Sequence, residues 1–243
     1  MDDSVIARAV SIVRTFDARH QVLGVSEVAR RTNLPKATAH RMLRELAVHR
    51  VLERSGSGYR LGLLLFEVGA LVPVHHTIAA TARPVMTDLR DTTRGRIHLA
   101  VLDGTEVVYV EIVGEAHTPI ASRVGGRLPA HATGVGKVIL AHSGPAAIES
   151  VIATGLPRIT ARTLHTPGAL MRELEAIRSD GQGYDREESH VGISCVAAPI
   201  FGADGNVLAG LSITGPTRMI DPDRMGLAVR TAARTIGRQV AGS

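Results

Sequence analysis

The segment that most constrains this chain is residues 24–62, GVSEVARRTNLPKATAHRMLRELAVHRVLERSGSGYRLG, which sets two short helical patterns and a hairpin pattern in direct succession. Ser26 is read as the N-cap of the first helix, its hydroxyl oxygen accepting from free backbone N–H groups, with Val28 and Ala29 as a small apolar face. Thr32-Asn33-Leu34 makes the break. Asn tolerates the left-handed backbone of a tight turn, and Pro35 suits the first position of the next helix. Along that helix Ala39, Met42, Leu43 and Leu46 recur at spacings of three and four, leaving Lys36, Thr38, Arg41 and Glu45 off the buried stripe. Val51-Leu52-Glu53-Arg54 and Tyr59-Arg60-Leu61, joined by Ser55-Gly56-Ser57-Gly58, predict a hairpin.

A first helix opened by Ser4, with Val5, Ala9, Val13 and Phe16 on one face and an end near Arg19, would pack behind this pair and complete a winged helix-turn-helix. In such a module the start of the second helix enters the DNA major groove, where Arg forks onto guanine and Thr reaches a base edge or phosphate. The candidate DNA contacts are Ser26, Lys36, Thr38, His40 and Arg41, with Arg54 and Arg60 from the wing. The competing readings are a small bundle with a solvated basic face, or a protein-binding winged helix. Charge distribution favours DNA: residues 1–60 hold 11 Lys+Arg against 6 Asp+Glu, whereas residues 61–243 hold 17 of each. Single-stranded or RNA partners would call for aromatic stacking platforms, and the chain has no Trp, three Tyr and three Phe.

At 243 residues the chain has room for a second domain with its own core, built from aliphatic residues given so few aromatics. The single cysteine, Cys195, fits a reducing cytosol, and neither a signal peptide nor a membrane-length apolar run is visible, so a cytoplasmic location is expected. The expected organisation is an α/β two-domain (α+β) chain. A DNA-binding domain spans 1–62, a linker helix 63–76 and a second domain 77–243. Leu63–Leu71 (LLLFEVGAL) is too apolar for a solvated linker and must be covered, by a partner subunit or by its own domain. After a break at Pro73 and His75-His76, a helix is expected over Thr77–Thr92. IHLAVL and EVVYVEIV around Asp103-Gly104 read as a hairpin, and 122–129 as a loop. Helices over Ala146–Ala153 and Gly168–Asp180, strands at Gly183–Asp185, Val196–Phe201 and Val207–Thr214, and a last helix from Pro222 to about Val240 complete an antiparallel sheet with packed helices.

The blocks LPKATAHRML and YRLG, then RVGGRLPAHATGVGK, DREESHVGISCVAAPIF and GLSITGP, stand in this order, and over essentially its full length the chain resembles IclR-type bacterial transcriptional regulators. The resemblance implies a second domain similar to GAF ligand-binding domains and a homodimer or dimer of dimers on a palindromic operator. It also implies a small-molecule effector, often an organic or aromatic acid, and members of the family may repress or activate. Carried over position by position, the effector pocket would be lined by Leu128, Gly134, Val135, Asp185, Ile193, Cys195, Ser212 and Thr214. The N–H groups opening the helix after Thr133 would face an anion, and the Ser212 and Thr214 hydroxyls would lie on one strand face.

Other chemistry fares poorly. Gly134-Val135-Gly136-Lys137 lacks the earlier Gly and the following Ser/Thr of a phosphate loop, where His131 and Val138 stand instead. Gly192–Val196 lacks the closing Gly of a nucleophile elbow, and the eleven His form no zinc pattern, so no metal and no cofactor is expected. Among Asp185-Arg186-Glu187-Glu188, Glu188 reads as a solvated turn residue. The alternative function is an enzyme fused to a DNA-binding head, with Asp185 and Cys195 doing chemistry; the missing pairing of base and nucleophile speaks against it.

Overall fold

The computed structural model describes residues 4–72, 78–115 and 122–242, and the chain forms two compact units, Met1–Val72 and Pro73–Ser243. In the first, Ser4 caps α1 (Val5–Val13), its hydroxyl oxygen accepting from the Ala7 N–H at 3.1 Å. The helix stops well short of Arg19. Asp17 accepts from the N–H groups of Arg19 and His20 and turns the chain. Of the expected apolar face Phe16 is buried, beside Ile12, but Val5 is 70% exposed.

Ser26 is not a cap. α2 (Val25–Thr32) starts after an extended Gly24, whose carbonyl takes the Glu27 and Val28 N–H groups, so Ser26 lies exposed within the first turn. Asn33 adopts the expected left-handed conformation (φ 55°), and Pro35 sits just before α3 (Lys36–Val48). α3 buries Met42 and Leu43 against Ile12, Val28 and Leu52, each of these two side chains contributing about 1.5–3 kcal/mol, and Ala39 is buried as well. β1 (Leu52–Ser55) and β2 (Gly58–Leu61) form the wing, and backbone pairing of Leu23 with Tyr59 fixes it to the entry of α2. α4 (Leu63–Gly69) buries none of its residues: Leu63, Phe66 and Val68 are all more than half exposed, as is Leu71 beyond it. The linker expected at 63–76 thus begins as a helix that clusters with the first unit, and Pro73, His75, His76 and Thr77 lie outside the described residues.

The second unit opens with α5 (Ala80–Thr93) and is organised by six antiparallel strands: β3 (Arg96–Asp103), β4 (Glu106–Val113), β5 (Arg127–Pro129), β6 (Gly183–Arg186), β7 (Ile193–Phe201) and β8 (Val207–Pro216). Their order is β5-β4-β3-β8-β7-β6. β5 corrects the loop expected at 122–129, since its backbone pairs with β4. Between β5 and β6 come α6 (Gly134–Ala141), α7 (Pro145–Thr154) and α8 (Pro167–Asp180), and α9 (Pro222–Ala241) closes the chain. Both faces of the sheet are covered. α5 and α9 pack on Ile97, Leu99, Leu211 and Ile213, while α6 and α8 cover the face carrying Ala100, Val107 and Ala197. A strand in such a sheet has no solvent side, so a polar residue on either face is an interior residue. No helix among the described residues is long and apolar enough to cross a membrane.

Candidate DNA-reading surface and effector pocket

The outer face of α3 presents Lys36, His40 and Arg41 to solvent, with Thr38 half-buried. Arg44, overlooked in the sequence, continues this face one turn on, and the spacing Lys36, His40, Arg41, Arg44 could have revealed it. Arg44, Arg50 and Arg54 line a crevice of about 470 Å³ between the end of α3 and the wing. In the wing the two candidates differ. The Arg54 guanidinium lies 5.4 Å from the centre of the Tyr59 ring and remains exposed, whereas Arg60 is paired with Glu53 across the hairpin at 2.9 Å. Ser26 projects from the first turn of α2, exposed and away from the apolar cluster.

In the second unit, strand alternation and register assemble most of the proposed pocket on the α6 face. Asp185 lies opposite Cys195 and Cys195 opposite Thr214, with Ile193 and Ser212 in phase with them. Gly134 sits directly above: a Cβ there would fall 2.6 Å from the Cys195 sulfur and 3.3 Å from the Asp185 nitrogen. Thr133 caps α6, accepting from the Gly136 N–H at 3.0 Å. The Gly134 N–H, free for an anion on the sequence reading, opens the helix beside the Cys195 sulfur. Val135 packs into the apolar cluster against Gly210. Leu128 is not brought to the site. It pairs with Val107 on β4, three strand spacings from Thr214 and several residues along the sheet, within the same apolar cluster.

Four further residues join the polar group. The His98 ring lies 3.0 Å (Nδ1) from the Thr214 hydroxyl and 2.9 Å (Nε2) from that of Ser122, and Ser212 Oγ is 3.4 Å from Thr214 Oγ1. Tyr109 tilts against His98 with ring centres 5.2 Å apart. Arg96 flanks them, its Nη2 donating to the Ser122 carbonyl at 3.4 Å. Burial, with Arg96 adding to it, pushes the His98 pKa down to about 3, so this imidazole stays neutral. Burial also pushes up the Tyr109 phenol, and raises the Cys195 thiol to about 12.

Asp185 does more local work than expected. Its Oδ1 accepts from the Glu188 N–H at 2.6 Å and its Oδ2 from the Ser189 hydroxyl at 2.5 Å, folding the turn after β6, while burial raises its pKa against these bonds. Glu188 is not solvated. It is 4% exposed and accepts from Lys137 Nζ at 2.7 and 2.8 Å; Lys137 itself is 0% exposed and reaches Glu173 at 3.2 Å. The residues dismissed as a phosphate loop thus supply a buried cation that clamps α6 to the β6 turn. A concavity of about 630 Å³ lies elsewhere, between the end of β7 and α9 beside Arg230, Arg234 and Arg238. None of the polar group around His98 lines it. No cluster of metal-binding side chains occurs among the described residues.

Comparison with known proteins fits both units. Residues 5–56 match the IclR helix-turn-helix domain, and residues 71–240 match the bacterial transcriptional regulator IclR C-terminal domain. The chain is similar to the HTH-type transcriptional regulator XynR of Escherichia coli (34% identical, spanning 89% of this chain and 87% of that protein) and to KdgR of the same organism (31%, 98% and 92%). Among solved structures it resembles an IclR homolog from Microbacterium hydrocarbonoxydans complexed with 4-hydroxybenzoate (TM-score 0.90, 31% identical, covering 99% of this chain and 100% of that one). It also resembles the Thermotoga maritima IclR (TM-score 0.78, 30%, 97% and 98%). These relatives carry the names of regulators, and nothing among them supports the enzyme alternative. With a DNA-reading module and an effector-binding module both matched in order, the chain belongs to the IclR family of bacterial transcriptional regulators.

Proposed function

We propose that this regulator is a cytoplasmic homodimer, or a dimer of dimers, that reads a palindromic operator through Lys36, Thr38, His40, Arg41 and Arg54, and that a small organic or aromatic acid in the pocket around Ser212 and Thr214 sets its operator affinity. The observation that carries the effector half is the hydrogen-bonded group Ser212, Thr214, His98 and Ser122, enclosed in the interior of the second unit. Such groups are retained inside a domain where they have a partner to meet. Two features support the dimer: the uncovered apolar face of α4 with Leu71, and a second exposed apolar surface on α1 formed by Val5, Ile6 and Val10. The relative bound to 4-hydroxybenzoate supports an acid as the effector class.

The test is reciprocal coupling. An effector alters operator affinity only through its preference between two arrangements, with typical couplings of about 1–3 kcal/mol, and operator DNA must alter effector affinity by the same factor. Screening by calorimetry with and without DNA should find an acid showing this symmetry. Ser212→Ala should weaken its binding by about 1–3 kcal/mol while leaving effector-free DNA binding intact. Replacing Leu71 by Ser should keep acid binding but reduce both operator affinity and the coupling. Full coupling in Leu71→Ser, or unaltered acid affinity in Ser212→Ala, would count against these assignments.

A further inference from the structure

Building on the effector-binding reading, we propose that Arg96 is the anchor for the effector's carboxylate, so that the pocket selects acids over their neutral amides. Arg96 lies on β3 opposite Thr214 and two residues before His98, hence on the same sheet face. Its Nη2 donates to the Ser122 carbonyl, but Nε and Nη1 are buried with no acceptor. No carboxylate among the described residues forms an ion pair with it. A guanidinium keeps its charge at any cellular pH and presents five donors in a fixed fork that matches a carboxylate. Buried donors left without partners are costly, and such a group points to something the chain does not itself provide.

Lys137 shows what this chain does with a structural buried cation. It surrounds it with Glu188 and Glu173, at 2.7 and 3.2 Å. Arg96 has no such counter-charge in ion-pair contact; the imidazole of His98, the hydroxyls of Ser122 and Thr214 and the phenol of Tyr109 stand to one side of it, and the cleft it lines with Thr214 also holds Arg94 and Glu115. The carboxylate of Asp185 is engaged by Ser189 and the Glu188 N–H. A carboxylate arriving at Arg96 meets a guanidinium with two unpartnered N–H groups and, beyond it, hydroxyl, imidazole and phenol groups able to share hydrogen bonds.

The experiment uses the full chain, with acetate, benzoate, 4-hydroxybenzoate and the neutral 4-hydroxybenzamide as probes in thermal unfolding and calorimetry. The acids should raise Tm saturably and the amide should not. Arg96→Met and Arg96→Gln should each weaken acid binding at least roughly tenfold, as expected for loss of a charge-assisted pair, with partial recovery in Arg96→Lys. Without ligand, Arg96→Met should unfold at the same or a higher temperature than the parent, because two buried N–H donors without acceptors have gone. Equal responses to acid and amide, unchanged by the Arg96 substitutions yet reduced by Ser212→Ala, would overturn the anchor and leave the pocket in place. Absence of any shift with all three acids overturns the anchor outright, as does a large Tm loss in ligand-free Arg96→Met and Arg96→Gln together. Acid binding that depends on Arg96 but leaves operator affinity unchanged would instead sustain the anchor and sink the regulatory reading.

Discussion

In the first unit the interior is a small cluster of Ile12, Phe16, Leu23, Val28, Met42, Leu43, Leu52 and Tyr59, and among its described residues no charged side chain is buried. In the second, Lys137, Glu188, Asp185, His98, Ser212 and Thr214 are all buried between a sheet and its helices. A reading head meets its partner on the outside, so its apolar positions can serve packing alone. A sensor that encloses its ligand needs polar groups inside, and each must be satisfied by the chain or by what it binds. The two units should therefore fail differently when a polar residue is changed.

The largest expected effect falls on the buried pair of the second unit. Lys137→Met leaves the Glu188 carboxylate enclosed without its cation and should cost about 3–5 kcal/mol, whereas the double variant Lys137→Met, Glu188→Leu should recover much of that loss. Denaturant unfolding of the full chain checks this; a cost below about 1 kcal/mol for the single change, the range of a surface pair, would erase the contrast between the units. In the first unit, Arg41→Ala should leave folding stability unchanged and cost about 1–3 kcal/mol on the cognate operator, with little loss on unrelated DNA. Arg54→Ala should weaken both kinds of DNA and flatten the salt dependence. Equal losses on all sequences for Arg41→Ala would assign it to a phosphate.

The smallest effect is a pH slope. His98 has its folded pKa depressed to about 3 by burial, below an unfolded value of about 6.5, so its contribution is intact above about pH 6.5 and is lost as pH falls toward 3. Between pH 6.5 and 5.5 the second unit should lose roughly 1 kcal/mol on this account, and His98→Asn should reduce that slope while the first unit keeps its own. An identical slope in the variant would assign the acid sensitivity to other groups, of which His131 and His142, both also depressed by burial, are the nearest candidates.

The first unit was largely legible because its chemistry follows periodicity. The stripe Ala39, Met42, Leu43, the left-handed Asn33 and the Gly/Ser turn of the wing each have one strong local cause. Ser26 misled because a Ser near a helix start resembles a cap, while an extended glycine two residues earlier takes the helix entry. In the second unit Asp185, Cys195, Ser212 and Thr214 were placed by resemblance and then brought together by strand register. Arg96, His98 and Tyr109 went unread for a physical reason. In RIHLAVL the alternation of polar and apolar residues signals a strand with one wet face, but here α6 covers that face and the polar side chains point inward. Glu188 was misread likewise, since a run of carboxylates carries no local sign of a lysine fifty-one positions back.

Cys195 has a consequence for how the protein can be studied and what it can sense. It is buried, and burial pushes its pKa up to about 12, so it stays a thiol at cellular pH. The thiolate is the species that peroxides oxidise and maleimides alkylate, so the natural cysteine is silent toward both. The same inertness leaves the chain in effect thiol-free at its surface. A cysteine introduced at exposed Val68 would take one fluorophore or spin label alone, and its signal would report the surroundings of α4 without background.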